Sequence, residues 1–213
     1  DPTNATNKPW ATLNKAIGAS GIVVGGDRVE VSPGIHWTAG ILVAVAPASV
    51  VYIHGDWANA SGFKDASGAL LPAGPVRQIG NSNTSRWGEA VANEKVLNFT
   101  GKSNFDISGF QFEGVYTVNG QQFILTAAQN INFHDNVFMT SKIAGTFIFE
   151  INAQVDINSG IIIERNLFIN TGTRAAAGEQ VNIVLPTSSV ADYNCGITIR
   201  NNRFLGGGAN AAV

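Results

Sequence analysis

The sequence predicts an all-β protein built as a solenoid, in which successive turns of the chain stack on one another. Four segments of nine residues repeat one pattern: the second and fourth residues are apolar, and the ninth is phenylalanine. They read NFDISGFQF (104–112), NINFHDNVF (130–138), GIIIERNLF (160–168) and GITIRNNRF (196–204). Successive copies therefore begin 26, 30 and 36 residues apart. Units of this length that keep their apolar positions are typical of stacked repeats.

The composition agrees with this fold class. Charged residues make up 13% of the 213-residue chain, against roughly 25% in an ordinary globular protein. Long surface helices would require more Lys, Glu and Arg. A chain with few charges, 24 glycines and many asparagines suits stacked strands joined by tight corners.

The charge pattern argues against two kinds of partner. The formal net charge is −2 and the Lys and Arg residues are scattered, so the positive field that attracts nucleic acid is missing. The sequence contains no run of about 18 apolar residues, so no membrane-spanning segment is predicted. Cys195 is the single cysteine, which excludes an internal disulfide.

Residues 1–26 are expected to form an N-terminal cap. Leu13, Ala16 and Ile17 continue a helical spacing that starts at Trp10, so a short amphipathic α-helix is predicted over residues 8–17. Such a helix would cover the apolar end of the solenoid, which otherwise exposes its core and unpaired strand edges. Strands are then predicted over residues 28–32, 41–45 and 50–54.

Residues 55–94 lose the pattern and are predicted to form one long side excursion. Only residues 76–79 within it have the character of a strand. The excursion contains Trp57 and Trp87, whose rings could stack against a sugar or anchor a partner protein. The alternative interpretation is that they pin the excursion to the flank of the solenoid.

Residues 95–208 are predicted to form the regular coils. A second apolar strand precedes each repeat, and a third is expected to pass through the phenylalanine. The preceding strands are predicted over residues 96–100, 122–126, 146–151 and 181–185. Stacking would align the phenylalanines in an aromatic column of Phe112, Phe138, Phe168 and Phe204. It would likewise align Asn136, Asn166 and Asn202 at a bend, where asparagine tolerates left-handed backbone angles.

Several segments resemble one known family. The opening DPTNATNKPWATLNKAI, followed by GGDRVEVSPGIHW, resembles the capping helix and first coil of right-handed parallel β-helix proteins. The coil endings DNVF, RNLF and NNRF are similar to the generic coil repeat of the same pectin-lyase-like superfamily, which includes phage tailspikes and secreted repeat proteins. The resemblance implies a single-stranded right-handed parallel β-helix with a short N-terminal capping α-helix. Because the repeats run across half of the chain without a linker, one domain over residues 1–213 is expected. The resemblance implies little about activity.

Candidate chemistry lies in two outward columns of the stacked repeats. One contains Ser108, His134, Glu164 and Arg200, and the next contains Gly109, Asp135, Arg165 and Asn201. Arg165 and Arg200 could bind a polar or acidic sugar, with a neighbouring side chain moving a proton. The weak catalytic candidates are Asp135, Glu164 and His134. The alternative interpretation is an ion-pair ladder in which Glu164 pairs with Arg200 and Asp135 with Arg165.

Other catalytic and cofactor chemistry finds little support. Glycosidases need two facing carboxylates, and the candidate pairs, Asp135 with Glu164 or Glu150 with Asp156, lack a local acidic signature. Three scattered histidines do not predict a zinc site, and the chain contains no cofactor-binding or nucleophile motif. No metal and no cofactor are therefore expected.

The expected function is non-catalytic. The sequence favours an extracellular or virion-surface module of decoration, fibre or spike type, which contacts a glycan or neighbouring structural subunits, including copies of itself. The alternative is a polysaccharide lyase or a glycoside hydrolase, or a fragment of one, acting on a cell-surface, plant or bacterial polysaccharide.

Overall fold

A computed structural model of the chain describes residues 13–37, 41–79, 97–114, 121–140, 147–152, 158–170, 181–184 and 194–206. Within these ranges the chain forms one short helix, α1 (Leu13–Ile17), and otherwise strands and turns. Leu13, Ala16 and Ile17 are buried and belong to the same hydrophobic core as the strands. The helix therefore ends where it was predicted to end, and residues 8–12 of the prediction lie outside the described ranges.

The strands form three parallel sheets, and consecutive strands enter the three sheets in turn. Sheet one contains β1 (Arg28–Val31), β4 (Val51–Gly55), β7 (Ser103–Ser108), β10 (Gln129–His134), β13 (Asn158–Glu164), β16 (Asn194–Cys195) and β17 (Thr198–Arg200). Sheet two contains β2 (Gly34–Trp37), β5 (Val76–Ile79), β8 (Gln111–Gly114), β11 (Val137–Thr140), β14 (Leu167–Asn170) and β18 (Arg203–Gly206). Sheet three contains β3 (Ile41–Leu42), β6 (Leu97–Asn98), β9 (Gln121–Thr126), β12 (Phe147–Asn152) and β15 (Val181–Val184). One passage through the sheets is called a circuit below.

Most predicted strands are present within the described residues, and β2 lies outside every predicted strand. The strand predicted over residues 76–79 is β5, although it lies inside the expected excursion. No strand was predicted between residues 32 and 41, but β2 begins at Gly34. Gly34 has a φ of 125° and donates its N–H to Pro75 O at 3.0 Å. The turn is therefore completed on the glycine, and the ladder with β5 starts at once.

The core lies between the three sheets and is rich in phenylalanine. Strand alternation points Ile161 and Ile163 inward, and both are fully buried. The four repeat phenylalanines form the predicted column: the ring centroids of Phe138 lie 5.3 Å from Phe112 and 5.0 Å from Phe168. Phe204 continues it at 4.7 Å from Phe168. Parallel strand pairing forces this alignment, because equivalent residues of adjacent circuits are in register.

Left-handed residues occur at two levels of the sheet-one strands. Near the start of the strands φ is positive at Asn104, Asn130, Gly160 and Gly196. At the corner that follows the strands φ is positive at Gly109, Asp135, Arg165 and Asn201. The expectation that Asn136, Asn166 and Asn202 are themselves left-handed is therefore wrong. The residue before each of them makes the bend, which leaves the asparagine side chain free to point into the corner.

The first part of the predicted 55–94 excursion is a connection between β4 and β5 with its own hydrogen bonds. Asn59 donates Nδ2–H groups to Phe63 O at 3.0 Å and Leu71 O at 2.8 Å. Asp56 accepts the backbone N–H groups of Ala60 and Ser61 at 2.9 and 2.7 Å. Residues 80–94, including Trp87, lie outside the described ranges.

Candidate functional site

The outward face of sheet one carries the predicted polar columns. The register of β7, β10, β13 and β17 places Ser108, His134, Glu164 and Arg200 side by side. Asp106 and Asn132 occupy the neighbouring outward column. The charged members of this face form what is called here the sheet-one network: Asp106, His134, Asp135, Glu164, Arg165 and Arg200.

His134 is held between two carboxylates. Its Nε2 lies 2.8 Å from Asp106 Oδ1, and its Nδ1 lies 2.6 Å from Asp135 Oδ2. Asp106 belongs to β7 and Asp135 follows β10, so the imidazole joins two circuits. Asp106 was not among the predicted site residues. The signal was available, because Asp106 lies two residues before Ser108 and therefore on the same face, diagonal to His134.

Arg165 and Arg200 close the other side of the network. Arg165 donates Nε–H to Asp135 Oδ1 at 3.1 Å and Nη2–H to Asp135 Oδ2 at 2.9 Å. Its Nη1–H reaches Glu164 Oε1 at 2.5 Å, and Arg200 donates Nε–H to Glu164 Oε2 at 2.6 Å. Glu164 is only 7% exposed, because the two guanidinium groups cover it. The two ion pairs expected from the sequence are both present.

These contacts shift every carboxylate of the network toward its ionised form. The hydrogen bond from Arg200 lowers the pKa of Glu164, and Arg165 adds to the effect. The hydrogen bond from Arg165 lowers the pKa of Asp135. Burial opposes ionisation of Asp106, but the hydrogen bond and charge of His134 outweigh it and lower the pKa of Asp106. The hydrogen bond to Asp106 in turn raises the pKa of His134.

The arrangement does not match that of a glycosidase general acid. A general acid of the glycosidase type needs a carboxyl group with a raised pKa, whereas the pKa values of Asp135 and Glu164 are lowered. Both ring nitrogens of His134 are occupied by carboxylates. The three weak catalytic candidates thus lie together, but as members of a charge ladder.

One of the two predicted aromatic residues, Trp57, lies beside the same sheet. Trp57 is 39% exposed and donates its indole N–H to Gly109 O at 2.5 Å. The ring therefore pins the connection to a corner of sheet one while keeping part of its surface in solvent. Tyr52, on β4, is 45% exposed and lies in register with Asp106, although the sequence did not single it out.

The asparagine ladder lies at the corner between sheets one and two. Asn136 and Asn166 are each 2% exposed. Asn166 accepts the backbone N–H of Asn136 at 3.0 Å, and Asn202 accepts that of Asn166 at 2.9 Å. Asn136 in turn accepts the N–H of Phe110 at 3.0 Å. The side chains thus satisfy backbone donors of preceding circuits, which is a structural role.

Within the described ranges, no group of three or more His, Cys, Asp or Glu residues is arranged to hold a metal ion. No helix among the same residues is long and apolar enough to cross a membrane. Comparisons of the chain with protein-family models, with curated proteins and with solved structures find no match.

Proposed function

We propose that this protein is a non-catalytic structural or binding module of an extracellular or virion-surface assembly, of decoration, fibre or spike type. The observation that supports this most is the state of the sheet-one network. Each of its carboxylates is already bound by a cationic side chain of the protein itself. Such mutual pairing strengthens the contact between circuits and leaves the carboxylates without the protonation chemistry of a hydrolase.

We further propose that the circuits form one right-handed parallel β-helix over residues 1–213, related to the pectin-lyase-like superfamily. The regular passage through three parallel sheets favours this architecture. Crossover connections between parallel strands are overwhelmingly right-handed, because the strand twist favours that hand. An experimental structure with a left-handed coil would contradict the proposal.

The proposed partners are a glycan or neighbouring structural subunits, including further copies of the chain. Tyr52 and Trp57 offer partly exposed rings that can stack on the apolar face of a sugar. Arg200 uses its Nε–H for Glu164, and 58% of its side chain remains exposed. Its outer guanidinium edge can therefore meet an acidic or hydroxyl group of a ligand.

Binding and turnover should be measured with one panel of neutral and acidic polysaccharides. We expect binding without release of reducing or unsaturated ends, and weaker binding in Trp57→Ala and Tyr52→Ala. Leu70→Ala is the matched control, because Leu70 is 65% exposed on the same connection as Trp57 but offers no ring. Turnover that disappears in Glu164→Gln or Asp135→Asn would instead establish the polysaccharide lyase or glycoside hydrolase.

The oligomeric state tests the structural half of the proposal. Sedimentation velocity over a range of protein concentrations should show association of the chain with itself. A chain that stays monomeric and also binds no polysaccharide of the panel would contradict the proposed function.

A further inference from the structure

The His134 side chain contacts two carboxylates at once, one in its own circuit and one in the preceding circuit. Both ring nitrogens face carboxylate oxygens, at 2.8 Å for Asp106 and 2.6 Å for Asp135. Carboxylates accept hydrogen bonds, so both contacts are satisfied only when both nitrogens carry a proton. The geometry is therefore that of an imidazolium ion clamped between two circuits.

We propose that His134 is a pH-dependent link between the circuit that contains β7 and the circuit that contains β10, closed when the imidazole is charged and open when it is neutral. This inference does not depend on the proposed function. A module with or without a glycan partner would carry the same link.

The surrounding charges explain why loss of the His134 proton would weaken the link between the circuits. Three carboxylates, of Asp106, Asp135 and Glu164, meet three cations, of His134, Arg165 and Arg200. The cluster is neutral while His134 is protonated and carries an excess negative charge after the proton leaves. Ser108 from β7 and Glu164 from β13 flank His134 in its own column, and neither supplies a replacement cation.

A neutral imidazole can satisfy only one of its two carboxylate partners. It has one N–H group and one lone pair, so either Asp106 or Asp135 must then face a lone pair. Arg165 Nη2 lies 3.2 Å from Nδ1 of His134 and can donate to that nitrogen once it is deprotonated. The neutral ring would therefore hold its proton on Nε2 or turn away from Asp135, and the joint between the circuits would weaken.

The direction of the pH effect follows from the thermodynamic coupling between protonation of His134 and folding. The pKa of His134 is raised above its ordinary value in the folded protein, chiefly by the hydrogen bond to Asp106. The stabilising contribution is therefore complete below the unfolded-state pKa of about 6.5. It is lost as the pH rises through the higher folded-state value. The link opens on the alkaline side.

A backbone hydrogen bond at the same corner offers a local readout. Gly109, which follows β7, donates its N–H to the carbonyl oxygen of Asp135 at 3.2 Å. Opening of the link should increase exchange of this amide hydrogen. We expect the protection factor of the Gly109 amide, corrected for intrinsic exchange, to fall roughly two- to fivefold as the pH rises through the pKa of His134.

The test compares the native chain with His134→Gln and His54→Gln by NMR-detected hydrogen exchange. His54 is the matched control, since it lies in the same outward column but its Nδ1 contacts the neutral hydroxyl of Ser108 at 3.2 Å. We expect the pH-dependent loss of protection in the native chain and in His54→Gln, and no such step in His134→Gln. A step of equal size in His134→Gln would overturn the proposal.

Titration of the His134 ring resonances supplies a second measurement that needs no variant. The ring should titrate above pH 6.5, and Asp106→Asn should lower its midpoint because the main hydrogen-bonding carboxylate is removed. A midpoint at or below about 6.5 in the native chain, or one unchanged by Asp106→Asn, would overturn the inference.

Discussion

Asn166 Oδ1 accepts two hydrogen bonds from Asn136, one from its backbone N–H at 3.0 Å and one from its side-chain Nδ2 at 3.2 Å. Asn166 also donates its own Nδ2–H to Phe133 O at 2.9 Å. One buried side chain therefore satisfies two donors and one acceptor of the preceding circuit. Parallel pairing repeats this corner in successive circuits. The stacked side-chain amides therefore hydrogen-bond each circuit to the next.

Replacement of Asn166 by alanine should destabilise the protein by roughly 1–3 kcal/mol, because the buried N–H of Asn136 and the carbonyl of Phe133 lose their partner. Urea unfolding followed by circular dichroism measures the loss. Asn202→Ala is the control: Asn202 makes equivalent bonds but is only partly buried, so water can replace them. Equal losses in both variants would contradict the role assigned to burial.

Phe138→Ala should be among the most destabilising substitutions in the chain. The ring is fully buried and stacks between Phe112 and Phe168. Truncation leaves a cavity that parallel-paired strands cannot easily collapse, so a loss of roughly 3–5 kcal/mol is expected from thermal or urea unfolding. Phe204→Ala should lose clearly less, since among the described residues Phe204 stacks on Phe168 alone, and it is only partly buried. A larger loss at Phe204 would contradict this account of the column.

The fold was largely predictable because its determinants are periodic. Strand alternation sets which residues of 160–168 face inward, and the constant offset between copies sets which residues stack. The phenylalanine column and the pairs of Glu164 with Arg200 and Asp135 with Arg165 follow from those two rules. The start of β2 did not follow, because a glycine with positive φ can end a turn and begin a strand at one residue.

The sequence placed the residues of each column, and it also placed Asp106 on the face of His134, but it did not determine which side chains of neighbouring columns touch. Asp106 was missed because its contact with His134 is diagonal, between neighbouring columns, and therefore depends on side-chain rotamers. The ladder asparagines were correctly placed at a bend, but the sequence could not tell which of two adjacent residues takes the left-handed conformation. Arg165 has a φ of 53°, a conformation that its residue type does not favour.

That conformation leads to a pH prediction for Arg165→Gly. Glycine relieves the left-handed strain but removes the hydrogen bonds that lower the pKa values of Asp135 and Glu164. Carboxylates with lowered pKa values stabilise the native chain above their unfolded pKa, and the contribution disappears as the pH falls through the lowered values. The native chain should therefore lose more stability than Arg165→Gly during acidification from about pH 5.

Thermal unfolding from neutral to acidic pH checks this, and the two stability curves should converge or cross on the acidic side. Asn201→Gly is the matched control, since Asn201 occupies the same left-handed corner one circuit later. Its substitution changes backbone strain alone, so its stability curve should run parallel to that of the native chain. Parallel curves for Arg165→Gly as well would show that the guanidinium does not set the ionisation of its neighbours.

The contact between Gly55 and Gly109 gives the last prediction. A Cβ atom placed on Gly55 would lie 2.0 Å from Gly109 O, the same carbonyl oxygen that accepts the indole N–H of Trp57. Gly55→Ala must therefore push β4 away from the corner after β7, with a loss of roughly 1–3 kcal/mol in urea unfolding. It should also red-shift the tryptophan fluorescence relative to the native chain, because the Trp57 ring loses its anchor and becomes more exposed to water.

Gly74→Ala is the control for that change. Gly74 lies on the same connection as Trp57, and a Cβ atom added there has no neighbour within 4 Å. Alanine at this position restricts the unfolded chain without a clash, so stability should be unchanged or slightly increased. If Gly55→Ala were as well tolerated as Gly74→Ala, the close approach of the two circuits at Gly109 could not be a constraint on the fold.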